Sequence, residues 1–252
     1  MIRVFGAILI GTLLMGCASS QDRKALKARK ENVVILNTQL AATYLQRGRP
    51  EIALDNISKA LALAPNDSQA NNVMALLQWH LKQIDVADRY FRRALKSQPG
   101  NSEARNNYGA FLCERGEVDK AVKQFELALT NPLYTTPAQA NLNAGLCLMK
   151  KPAPVMAESY FRETLKLDPK RKAALYQMAK ISYDSGKTYS ARGFIQRFFE
   201  IANDTPESLL LAVKIEGKLH AKDAEASYAL RLRGKFPDSP ETQELHKLSA
   251  TN

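Results

Sequence analysis

Beyond residue 17 the chain has no run of the ~18–20 apolar residues that a membrane-spanning helix needs, so no later segment fits a helical span. It has three cysteines, Cys17, Cys113 and Cys147, and no Cys-x-x-Cys pair, which argues against zinc. Its histidines, His80, His220 and His246, stand far apart, with no two at helical metal spacing. Glycine-rich phosphate loops, nucleophile elbows and catalytic carboxylate pairs are all missing. These absences point to a binding protein and not an enzyme, with no metal, no cofactor and no small-molecule substrate. Alternating runs of Val, Ile and Thr are scarce, while Ala, Leu, Lys, Arg, Gln and Glu abound, so the expected fold is all-α. Charge is not scarce: 36 Lys and Arg against 25 Asp and Glu leave a net +11. The cations spread along the whole length, and no zinc-finger spacing, aromatic RNA-binding motif or compact basic stripe accompanies them, which argues against nucleic acid.

The one long apolar stretch lies at the start. Arg3 precedes an apolar run from Val4 to Met15, 12 residues long, too short to span and suited to a secretory signal. Leu14-Met15-Gly16-Cys17 resembles the lipobox of bacterial lipoproteins, although Met15 is a less common choice there. The resemblance implies cleavage between Gly16 and Cys17, with a diacylglyceryl group and an N-acyl chain on Cys17. Ala18 stands where Asp would resemble an inner-membrane retention signal, so the implied address is the outer membrane, facing the periplasm. The other reading is a short N-terminal core helix that carries a Cys. Residues 17–33 hold Arg23, Lys24, Lys27, Arg29 and Lys30 and few apolar side chains. They read as a solvated tether, helical toward its end; the alternative rests these cations on anionic headgroups.

The remainder repeats. Ala53, Ala87, Ala121, Ala157 and Ala191 are separated by 34, 34, 36 and 34 residues. A 34-residue period is the signature of tetratricopeptide repeats, each a pair of antiparallel helices. With this alanine as position 20, position 24 reads Ile57, Phe91, Phe125, Phe161 and Ile195, one turn on and facing the same way. Pro65, Pro99 and Pro169 share position 32, where proline ends a repeat. Gly48, Gly116 and Gly186 share position 15, where the first helix must stop in a left-handed conformation. Pro50 and Pro154 open second helices at position 17. The expected architecture is a right-handed superhelical solenoid of about six repeats over residues 34–240, near 34–67, 68–101, 102–137, 138–171, 172–205 and 206–240. A tail follows at 241–252.

Some features depart from the pattern. The usual Trp at position 4 is replaced by Asn37, Asn71, Arg105, Asn141 and Leu175. Two extra residues in "TNPLYTTPAQ" should bend or loosen the superhelix near Pro132 to Pro137. In the sixth repeat Ala226 and Pro237 fit only after a one-residue slip, as in a capping repeat with a polar outer face. Cys113 and Cys147 fall on first helices of adjacent repeats; two free buried thiols are expected, with a disulfide as the alternative in an oxidising compartment.

First helices line the concave face of such a superhelix. The candidate partner groove is therefore Asn72, Leu76 and Trp79 from repeat two and Asn106 and Asn107 from repeat three. Asn143, Leu146 and Met149 follow from repeat four, and Tyr176 and Tyr183 from repeat five. Asparagines there suit the backbone of an extended peptide, and apolar neighbours supply pockets. The alternative is that Trp79 and Met149 merely seal the seam between repeats.

A lipobox followed by about six such repeats resembles the type IV pilus biogenesis and stability lipoproteins of the PilF/PilW kind. "YLQRG", "NNYGAFLCERG", "LYTTPAQANLNAGLCLMKKPAP", "SLLLAVKI" and "SYALRLRGKFPDSPE" carry the resemblance over essentially the whole chain. It implies a pilotin that binds subunits of the secretin PilQ and, through its lipid anchor in the membrane, promotes their outer-membrane localisation and multimerisation. Pilus biogenesis and twitching motility would depend on it. The alternative is a scaffold lipoprotein for another envelope assembly, such as β-barrel insertion or peptidoglycan enzymes.

Overall fold

Proline and short polar side chains cut the chain into helices at regular intervals. A computed structural model describes residues 20–151 and 154–250. Gly16 and Cys17, with the rest of the expected signal segment, lie outside the described residues. Among those described there are thirteen helices and no strands. The first helices of the repeats are α1 (Ser20–Gln46), α3 (Ser68–His80), α5 (Ser102–Glu114), α7 (Pro137–Leu148), α9 (Lys172–Asp184) and α11 (Pro206–Lys218). Their partners are α2 (Pro50–Leu63), α4 (Ile84–Ser97), α6 (Val118–Leu129), α8 (Pro154–Leu167), α10 (Thr188–Phe199) and α12 (Lys222–Lys235), and α13 (Pro240–Ala250) packs on α11. Each pair packs on itself and then on the next, so the fold is an all-α tetratricopeptide-repeat solenoid.

The starts are chemically specified. Asp67 and Asn101 accept the amides of Ala70 and Ala104 at 2.7 and 2.9 Å. Thr205 and Ser208 cap α11 reciprocally, and Pro50, Pro137 and Pro206 sit where a helix has no use for an amide donor. First helices stop at Gly48, Gly116 and Gly186 with φ of 68°, 80° and 77°. Lys82 and His220 take the same left-handed place in repeats two and six, with φ of 60° and 56°. Of the side chains that replace the usual Trp, Asn71 and Arg105 hook the preceding junction, while Asn141 bonds the first turn of its own helix. Asn71 donates to Pro65 O at 2.9 Å, Arg105 to Pro99 O at 2.7 Å and Asn141 to Pro137 O at 3.0 Å.

The five ruler alanines, Ala53, Ala87, Ala121, Ala157 and Ala191, are fully buried, as are the five position-24 side chains. The core runs unbroken from Ala75 to Ile181 across the irregular junction, so the expected loosening near Pro132 to Pro137 does not reach it. The two extra residues are absorbed in a surface loop that leaves Leu133 84% exposed.

Three expectations are corrected. Cys113 and Cys147 are not free thiols: they form a disulfide, with Cα atoms 5.7 Å apart, that staples α5 to α7. First helices of neighbouring repeats lie side by side, and the insertion brings a position-12 and a position-10 side chain face to face. Residues 20–33 are helical, exposed over 21–33, and continuous with the rest of α1. The tail forms α13, whose Leu245 and Thr242 are buried. In repeat six the one-residue slip does not occur: Ala226 is exposed, while Ala229 and Leu232 are buried. Glu225 replaces the ruler alanine, and Gly217 makes room for it. A Cβ on Gly217 would lie 3.1 Å from Glu225 Oε1.

Candidate functional site

The inward faces of α3, α5 and α7 are joined by side chains that reach from one repeat to the next. Gln69 donates to Glu103 Oε2 at 2.9 Å, Asn107 to Asn72 Oδ1 at 3.2 Å and Asn143 to Asn106 Oδ1 at 3.0 Å. Gln139 donates to Asn143 Oδ1 at 2.8 Å and accepts from Arg171. This ladder divides the predicted asparagines. Asn72 and Asn106 are 0% and 7% exposed and are spent on the seam, so they are not open to a peptide as expected. Asn107 and Asn143 are half-buried and reach the groove surface.

The apolar predictions divide similarly. Leu76, Trp79 and Met149 are half-buried against the central core, so each both seals the seam and shows an edge. Trp79 meets Phe111 edge to face at 5.6 Å, and its indole N–H donates to Glu114 Oε1 at 3.2 Å, which sets the ring's tilt. Leu146 is 37% exposed on α7. Tyr176 and Tyr183 lie apart from this set. They line a second cleft with Lys180, Asp184, Leu210 and Glu244, walled by α9, α11 and α13. Burial raises the Tyr176 hydroxyl pKa, and the carboxylates of Glu207, Glu241 and Asp184 add to the effect.

Where the asparagine ladder meets the irregular junction, a polar cleft of about 670 Å³ opens. Its walls include Gln69, Asn101, Glu103, Asn106, Asn107 and Tyr134. Burial pushes the Tyr134 hydroxyl pKa up, and the nearby charge of Glu103 adds to it. Glu103 and Tyr134 are absent from the sequence-derived groove. The two-residue insertion was the signal for Tyr134, because it is what swings 131–136 over the inward face. The cleft presents carboxamides, hydroxyls and one carboxylate, a set that exchanges hydrogen bonds with peptide groups and holds no arrangement of nucleophile and base. Among the described residues no group of three or more His, Cys, Asp or Glu could hold a metal.

The sequence-derived site also lacks the outer side of α1. Leu26, Val33, Leu36 and Leu40 are 56%, 43%, 56% and 37% exposed. Position 3 is Leu36 here, whereas Ala70, Ala104, Ala140 and Ala174 hold it in later repeats under a preceding pair of helices. Among the described residues no helix pair precedes repeat one, and its leucines are uncovered there.

Paired helices on a 34-residue ruler, with a polar groove along the first helices, define a tetratricopeptide-repeat protein. Two tetratricopeptide-repeat profiles match, at residues 68–101 and 90–123. The chain is 30% identical over 245 residues to the type IV pilus assembly protein PilF of Pseudomonas aeruginosa, covering 96% of this chain and 97% of that protein. The solved structure of Pseudomonas aeruginosa PilF superposes with a TM-score of 0.82 at 29% identity, over 86% of this chain and 98% of that one. That of PilW, described as a widely conserved type IV pilus biogenesis factor, superposes at 0.74 with 32% identity, over 84% and 98%. The chain belongs to the PilF/PilW family of tetratricopeptide-repeat proteins.

Proposed function

We propose that this protein is an outer-membrane lipoprotein of type IV pilus biogenesis, a pilotin that binds secretin subunits and promotes their localisation and multimerisation. The observation that carries the reading is the near end-to-end relationship to PilF, together with a repeat architecture built to hold other proteins. It acts by binding and not by catalysis, because its groove offers peptide-matching hydrogen bonds and no reactive constellation. Asn107, Asn143 and the exposed edges of Trp79, Leu146 and Met149 contact the partner, with Glu103 and Tyr134 at the junction end. Acyl chains on Cys17 supply the membrane address; two anchoring chains already give stable attachment, at ~0.8 kcal/mol per buried methylene. A partner held in the groove then takes on that address.

The two halves of this reading separate in one experiment. Cells carrying Cys17→Ser should keep the partner complex but lose its outer-membrane position, whereas Asn107→Ala with Trp79→Ala should keep the position and lose secretin multimers. Normal multimers and surface pili in both strains would reject the pilotin assignment.

A further inference from the structure

The outer side of repeat two carries a face unlike those of its neighbours. Positions 22, 25, 26 and 29 of a second helix fall on one solvent-facing stripe. In α2, α6 and α8 that stripe includes a carboxylate, Asp55, Glu126 and Glu163, and in α10 it ends at Glu200, the residue that caps the helix; α12 has no acid there but only one cation, Arg231. In α4 it is Arg89, Arg92, Arg93 and Lys96, four cations with no carboxylate. The acid on the flank of this stripe, Asp88, is already engaged. It accepts from Arg92 Nε at 2.6 Å and from the Tyr108 hydroxyl at 2.8 Å. Arg89, Arg93 and Lys96 are exposed and make no ion pair among the described residues. The Arg93 guanidinium lies 5.3 Å from the centre of the Tyr90 ring, which restricts its motion. Asn66, from the turn between α2 and α3, and Ser97 complete an open cleft of about 580 Å³ around these cations.

We propose that this cleft docks an acidic segment of a partner protein. The two unpaired guanidinium groups, Arg89 and Arg93, favour carboxylates, which they grip through paired parallel N–H bonds. A lipid surface fits less well. The first helices run parallel, so α1 leaves the solenoid at the edge that carries Asn66 and Lys96. From Ser20 to residue 33 it rises about 20 Å, more than twice the ~8 Å screening length of physiological salt. A membrane that holds the N-terminus therefore sits beyond the field of the cleft along the helix axis. The cleft faces away from the groove, so an acidic segment here and a peptide in the groove can bind together.

The test is calorimetric titration of the full chain, in a non-ionic detergent at physiological salt, with an octaglutamate peptide. Arg89→Gln/Arg93→Gln/Lys96→Gln should weaken binding about tenfold, against less than about twofold for the charge-matched, exposed triple Arg47→Gln/Lys170→Gln/Arg233→Gln. Equal losses in the two triples would reduce the effect to net charge and overturn the proposal, as would no binding by the unsubstituted chain. Displacement of the peptide by soluble dihexanoyl-phosphatidylglycerol, at concentrations below the peptide's own Kd, would overturn it in favour of lipid.

Discussion

At Gly109 and Gly145 the solenoid has no room for one methyl group. A Cβ there would stand 2.6 Å from Cε1 of Phe125 and Phe161 respectively, the position-24 rings of the same repeats. Position 8 of repeats one to five is accordingly Ala41, Ala75, Gly109, Gly145 and Ala179, the smallest of residues, opposite position 24. Gly145→Ala should cost about 1–3 kcal/mol, because the ring can move only by disturbing its buried neighbours. A shift of the denaturant midpoint at unchanged slope would measure it. This pairing was visible in the sequence once the ruler had been laid down. The left-handed Lys82 was not, since nothing in a lysine announces positive φ and only the repeat register requires it.

Between elements, charge does much of the fastening at the C-terminal end. Arg192 pairs with the almost fully buried Glu216 across α10 and α11. Asp204, in the turn before α11, pairs with Arg231 and accepts from Lys235 Nζ at 2.8 Å, both from α12. Arg231 also lies 5.0 and 5.2 Å from the ring centres of Phe199 and Tyr228. Burial pushes the Asp204 carboxyl upward, but the bonds from Arg231 and Lys235 outweigh it and leave the pKa below the usual value. A depressed native pKa means that the unfolded chain binds the proton first. The stabilisation is therefore complete above the unfolded value near pH 4 and is lost as pH falls through the native one. Asp204→Asn should lower stability by roughly 1–3 kcal/mol at neutral pH and flatten the acid limb of the stability curve. Thermal melts at stepped pH would show both. None of these pairings has a periodic sequence signature: Asp204 and Arg231 are 27 residues apart and meet only because α12 folds back over α11.

Across the whole molecule, stability is close to a sum of repeats and nearest-neighbour interfaces, so a single weak interface can divide it. The Cys113–Cys147 bridge lies between repeats three and four, where the junction is irregular. Closing a loop of 34 residues is worth about 3–4 kcal/mol in the chain-entropy picture. Reduction, or the double change Cys113→Ser/Cys147→Ser, should therefore lower the unfolding midpoint and broaden the transition, as the two halves lose their common stability. Denaturant curves followed by circular dichroism with and without reductant would show it; superimposable curves would mean that the core alone couples the halves.

The sequence by itself determined the period, the all-α class, the buried alanine and aromatic positions and the inward side of each first helix. All of these follow from helical geometry applied to a local pattern. Only the tertiary structure decided which inward asparagines remain available, since Asn72 and Asn107 are chemically identical and differ only in which neighbour reaches them. It also decided that two cysteines in neighbouring repeats meet, that the tail packs as α13 on α11, and that the extra residues at 131–136 wall a polar cleft. Each of these depends on distances between segments about one repeat apart, which a periodic pattern leaves free and packing alone specifies.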